Sequence, residues 1–392
     1  MVFKARSNID GAAGEPSSTA RGDKSSPDVI SFREALGLAH EPPKRHLMLG
    51  NGFSRAIRPK IFSYDSLLES ARKSGRLTDE MAQAFKELET TDFEYVMKAY
   101  DGAAVLVSIY EGTNPQLAER LRAAASVLRD VLAETIAANH PARPYDIDRK
   151  QYAACRRFLA NFKGSMYTLN YDLLLYWTLM QSDIPPELKS DDGFRHPKSQ
   201  EQDYVVWEVQ NSDHQKIFYL HGALHLYEGG AEILKYTWSK TEVPLVDQIR
   251  RALERREYPL IVTEGTREQK LSKIQRSGFL DRARRSFAKI GGSLFVYGHS
   301  FAENDEHLLK LIEGGRLEKL FVGLYDDVNQ QGNQHIINRA LLMKERREEK
   351  GGKKLEVHFF DAVSAHVWDD EGFDEEAAAK PRGSATKAVV GA

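Results

Sequence analysis

GSMYTLNYDLLLYW, residues 164–177, carries the reading of the whole chain. SMYTLN is a short unbroken apolar run of strand character, and LLLYWTLMQ continues at once as an apolar helix. Between them stands NYD, an amide and a carboxylate where Gly and Pro could have made the turn. Asn or Asp before a helix is a good N-cap and needs no ligand. One helix start needs one cap, however, so the alternative is that Asp172 caps while Asn170 faces a cleft.

Outward from this unit the same pattern repeats. Apolar runs at HLMLG (46–50), KIFYLHG (216–222), YPLIVTEG (258–265), SLFVYGHS (293–300), KLFVGLYDD (319–327) and LEVHFFDA (355–362) read as strands. Most are continuous rather than alternating, which suits strands covered on both faces of a parallel sheet. Helical patterns lie between them: SRAI, EVPLVDQIRRALERR, FLDRARRSFAKI and DEHLLKLIEGG. The alternation predicts an α/β fold, a doubly wound and mostly parallel sheet. Residues 65–163 break the rhythm, and NPQLAERLRAAASVLRDVLAETIAANH predicts a long amphipathic helix within a helical insertion after the first strand.

The expected organisation is a disordered tail over 1–30, one α/β domain over 31–365 and a second tail over 366–392. Both tails are rich in small and charged residues, and the first has no apolar core of signal-peptide length. No stretch approaches the roughly 18 apolar residues that span a bilayer, so the cytoplasm is expected. With a formal net charge of -2, neither nucleic acid nor membrane is an expected partner. The arginine-rich stretch from Arg250 to Lys289 is interspersed with acids at helical spacing and reads as exposed helix faces. The single cysteine, Cys155, excludes an internal disulfide and a four-cysteine zinc ribbon.

Ligands of such folds bind outside the carboxyl ends of the strands. Five ends qualify: GNGFS (50–54), NYD (170–172), HG (221–222), EGT (264–266) and GHSFAEND (298–305). Gly50 and Gly52 would let the backbone approach a phosphate, and Ser54 would cap the next helix or donate to that phosphate. Arg55 stands where the dinucleotide fingerprint has its third glycine, so a plain strand-to-helix turn competes. His221 at a strand exit suits either a structural residue or a general base; His225 reads as packing. Gly298 and Ser300 could hold a ribose or phosphate, while Asn304 and Asp305 suit a helix start. The spacing of His299 and His307 matches no standard ligand pattern, so no metal is expected. Thr266 and Lys270 read as a loop and helix start, with the lysine solvated.

Taken in order, GNGFS, TLNYD, LHG and GHSF resemble the motif series of sirtuins: a GAG-S phosphate loop, a Q-N-I-D element, a catalytic H-G and a late G-x-S loop. The resemblance spans about residues 45–305 and is nearest to the sirtuin-like, NAD-consuming domains of bacterial anti-phage defence. It implies a Rossmann-like fold with Gly50, Asn51, Gly52 and Ser54 at the pyrophosphate. Asn170 and Asp172 would flank the nicotinamide riboside, His221 would be the general base followed by Gly222, and Gly298 and Ser300 would form the late cofactor loop. The deacetylases' two C-x-x-C pairs and G-I-P-D-F-R motif are missing, so the peptide platform is gone while NAD cleavage need not suffer. The implied activity is NAD+ hydrolysis to nicotinamide and ADP-ribose without a metal. It would be controlled by a partner protein, a phage trigger or self-association. A non-catalytic NAD or ADP-ribose sensor and an ADP-ribosyltransferase are the alternatives.

Overall fold

A computed structural model describes residues 27–110, 115–197, 204–230, 232–237, 243–263 and 267–369. Strand β1 (Val29–Ile30) and helix α1 (Phe32–Leu38) lead into β2 (Arg45–Leu49), then α2 (Gly52–Ile57) and α3 (Pro59–Phe62). The helical insertion follows as α4 (Tyr64–Lys73), α5 (Asp79–Glu87), α6 (Phe93–Tyr110), α7 (Pro115–Asn139) and α8 (Arg149–Ala160). The chain continues through β3 (Met166–Thr168), α9 (Leu174–Met180), β4 (Phe194–Arg195), β5 (Tyr204–Trp207), β6 (Ile217–Tyr219), β7 (Leu226–Gly229) and β8 (Glu232–Tyr236). It closes with α10 (Leu245–Glu254), α11 (Arg267–Arg276), α12 (Gly278–Lys289), β9 (Gly291–Tyr297), α13 (Glu306–Glu313), β10 (Arg316–Leu324), α14 (Gln331–Glu349) and β11 (Glu356–Asp361).

Seven strands form one parallel sheet in the order β1-β11-β10-β9-β2-β3-β6. From the other edge this is the doubly wound order, with an extra edge strand and a reversal between β2 and β9. Both faces are covered, as the unbroken apolar runs require. Leu47, Leu49 and Ile217 enter one core with α8 and α9, while Met48, Tyr167 and Phe218 enter the other with α12 to α14. No helix among the described residues is long and apolar enough to cross a membrane.

Several expectations need correction. YPLIVTEG is not a strand: Ile261 makes one isolated antiparallel bridge to Gly222, and 264–265 lie outside the described residues. A four-stranded antiparallel sheet, β4-β5-β8-β7, was not anticipated, nor was α14, which links β10 to β11. The domain also extends past both expected boundaries. Val29 and Ile30 pair with Phe359 and Phe360. At the other end Trp368 is buried, its ring 5.0 Å from Phe53 and its Nε1 donating to the Phe53 carbonyl at 2.8 Å. Apolar side chains at 29–30 and 367–368 gain this cover only from distant elements, so flanking composition masks them.

Candidate functional site

The four motif segments fall at four consecutive strand ends, in the spatial order β9, β2, β3, β6. Asn170 lies two residues past Thr168 and His221 two past Tyr219, which are partners in the β3–β6 register. The two residues therefore leave the sheet crest at the same level, Asn170 bonded to Ser54 and His221 set against His307. EGT and Thr266 lie outside the described residues.

Asn170, Asp172 and Ser54 form one buried hydrogen-bonded group. Ser54 Oγ donates to Asp172 Oδ2 at 2.5 Å and accepts from Asn170 Nδ2 at 2.9 Å. Asp172 Oδ1 also accepts from the Leu174 amide, the first of α9, at 2.9 Å, although the N-cap position itself is Leu173 and has no side-chain cap. Burial raises the Asp172 carboxyl above its ordinary range, opposed by the bonds from Ser54 and Leu174. His140 assists the same turn, its Nε2 accepting from the Leu173 amide at 3.1 Å. Ser54 thus neither caps α2 nor presents its hydroxyl to solvent; it ties α2 to the β3–α9 turn across 118 residues.

The glycine loop is closed on itself. Cβ atoms on Gly50 and Gly52 would lie 2.6 Å from the Gly298 oxygen and 2.5 Å from its Cα. Gly298 adopts φ +72°, and Gly50 N and Gly52 N donate to the carbonyls of Tyr297 and Gly298 at 2.9 and 2.8 Å. These glycines are therefore required by backbone approach between β2 and β9, whatever they bind. Asn51 turns its Nδ2 to the Phe62 carbonyl at 3.1 Å, and Ser300 is exposed. The residues matched to a pyrophosphate loop are thus together, but the amides of Gly50, Gly52, Phe53 and Ser54 are already engaged by backbone carbonyls.

His221 is held by a clamp. Val262 N donates to its carbonyl at 2.9 Å, Ala223 N to the Leu260 carbonyl at 3.1 Å, and Gly222 at φ +79° leaves no room for a side chain beside Leu260. The imidazole is buried among polar groups rather than oily ones. Its Nε2 lies 3.1 Å from His307 Nε2 and 3.8 Å from Asp305 Oδ1. Burial drives its pKa well below the ordinary histidine value, so the ring is neutral near pH 7.

Around it lies a charged cluster that the motifs did not announce. Lys270 Nζ donates to Glu94 Oε2 at 2.8 Å and sits 3.7 Å from Asp305 Oδ1. Glu94 also accepts from Tyr171 Oη at 3.1 Å and Asn304 Nδ2 at 3.2 Å. Asp305 is the N-cap residue of α13 yet makes no cap bond; its Oδ2 accepts from His299 Nε2 at 2.9 Å instead. Burial alone would raise the Asp305 carboxyl, but the His299 bond and the Lys270 charge hold it far below the usual range. Lys270, read as solvated, is 1% exposed; burial lowers its pKa less than Glu94 and Asp305 raise it, so the ammonium stays charged. His225 packs as expected, its ring 4.9 Å from Tyr176.

Asp305 spans the site. It touches His299 at the end of β9 and approaches His221 at the end of β6, with β2 and β3 between those strands. Strand spacing of about 4.8 Å puts β9 and β6 roughly 14 Å apart, so the 299–307 segment reaches over the crest. The fold and crest define a Rossmann-like α/β protein with its polar groups gathered at the strand carboxyl ends.

Residues 47–368 match the family described as a domain of unknown function, DUF4917, and the chain belongs to that family. No curated protein matches it.

Proposed function

We propose that the chain is an NAD+ glycohydrolase, cleaving NAD+ to nicotinamide and ADP-ribose. The observation that carries the reading is the placement of Asn170 and His221 two residues beyond the paired ends of adjacent parallel strands, with the carboxamide oriented by Ser54 and Asp172. The crest holding them lies at the carboxyl ends of a doubly wound sheet, where nucleotides bind in such folds.

In this reading water attacks C1′ of the nicotinamide riboside. The C1′–N bond breaks with its electron pair passing to the pyridinium nitrogen, and a water proton passes to neutral His221. Asn170 fixes the ribose and the water. Asp172, through Ser54, fixes Asn170, so the carboxylate both holds the first amide of α9 and acts as a positioning residue. The pyrophosphate would lie against the Gly50–Ser54 loop, with Ser300 at its rim. The biological setting carried over from the sirtuin resemblance is cytoplasmic anti-phage defence, with a partner protein or phage trigger releasing activity.

The test is nicotinamide release from NAD+ by the purified full chain, alone and with phage-infected extract. His221→Ala and Asn170→Ala should each lower turnover by about 10²- to 10⁴-fold. Full activity in both variants refutes the assignment. Binding without turnover is the second reading, favoured by the 2% exposure of His221. Calorimetry that detects NAD+ binding while no nicotinamide is released would select it.

A further inference from the structure

We infer that His221, His307 and Asp305 form a binding site for a divalent transition-metal ion, Zn2+ by ligand chemistry. Their donor atoms, one each, all lie within 4.8 Å of one another. Donors about 2.0–2.1 Å from a tetrahedral Zn2+ stand about 3.3 Å apart, close to the 3.1 Å between the two Nε2 atoms and the 3.8 Å from His221 Nε2 to Asp305 Oδ1. The third pair, His307 and Asp305, lies within 4.8 Å and must draw together by up to about 1.5 Å on binding.

Three further features single out these atoms. Two imidazoles facing each other through Nε2 either share one proton or turn both lone pairs toward a cation. Asp305 Oδ1 is buried with no hydrogen-bond donor, although its residue occupies a helix N-cap where such an oxygen is ordinarily used. The other oxygen is fixed by His299 Nε2, whose Nδ1 accepts from the Phe301 amide at 3.1 Å. That is the outer support a ligating carboxylate receives. Two histidines and one carboxylate leave a fourth position for water or a substrate oxygen. Lys270, 3.7 Å from Asp305 Oδ1, opposes a dication, and its ion pair with Glu94 offsets part of that charge.

An ion on His221 Nε2 takes the lone pair that would accept a proton. Filling the site would therefore silence the base assigned above. That consequence rests on the hydrolase reading, whereas metal uptake is measured without NAD+, so the two can fail separately.

Full-length protein stripped with EDTA is titrated with CoCl2 and then with ZnCl2. The expected result is about one bound equivalent, visible bands of low-coordinate Co2+, and their loss as Zn2+ displaces it. His307→Ala and Asp305→Ala should abolish the bands, His299→Ala should weaken binding by about 10- to 100-fold, and exposed His214→Ala should change nothing. Wild-type protein that takes up no Co2+ overturns the site by itself. Bands that persist in both His307→Ala and Asp305→Ala overturn it equally.

Discussion

Two carboxylates stand at different points of the sheet crest, Asp172 buried and Asp305 partly exposed. Asp172 is supported by a hydroxyl and a backbone amide, with a carboxamide one bond further on. Asp305 is supported by a histidine, with a lysine and a second histidine close by. Burial lifts the first carboxyl above its usual range, while the second is held far below it. Neutral donors satisfy a carboxylate's geometry without supplying charge, so desolvation wins at Asp172; at Asp305 charge wins. The Asp172 group is built to hold a shape, and the Asp305 group is built to hold charge.

That contrast can be broken by mutation. Lys270→Met leaves Glu94 without its counter-charge and should cost about 3–5 kcal/mol in urea unfolding. The double variant Lys270→Met/Glu94→Leu should recover most of this; a single variant as stable as wild type would show the charges are not coupled. Acid should act next. Burial brings His140 from 6.5 to about 4, so its neutral form stabilises the fold above pH 6.5. As pH falls from 6.5 toward 4 the unfolded chain takes up the proton first, and about 3 kcal/mol is lost. His46, His221 and His225 are lowered by burial as well, so His140→Gln should remove only its own share of the slope in pH-dependent unfolding, and an unchanged slope would reassign that share. The smallest effect is expected at Ser54→Ala, about 1–3 kcal/mol, because it orphans one carboxylate oxygen and one amide N–H without stranding a charge. A loss as large as that of Lys270→Met would erase the distinction between the two groups.

The two groups also differ in how far sequence reveals them. NYD and HG announce themselves because each sits where an apolar run ends, and a polar residue there stands out against its neighbours. Lys270 and Glu94 have no such background. Lys270 lies in a stretch whose charged residues at helical spacing read as exposed faces, and Glu94 lies in the insertion that interrupts the βα rhythm altogether. Asp305 was placed correctly at a helix start, but its carboxylate serves His299 instead of the cap, which no local pattern announces.

Taken alone, the sequence settled the α/β alternation, six of the seven strands of the parallel sheet, the helical insertion and the strand ends where polar residues collect. Those features follow from periodicity and chain punctuation within a few residues of each position. Tertiary structure alone decided which charges meet. His221 reaches His307 across 86 residues, and Lys270 reaches Glu94 across 176. A side chain's local sequence reports whether it can be buried, but the partner that makes burial tolerable is supplied by topology.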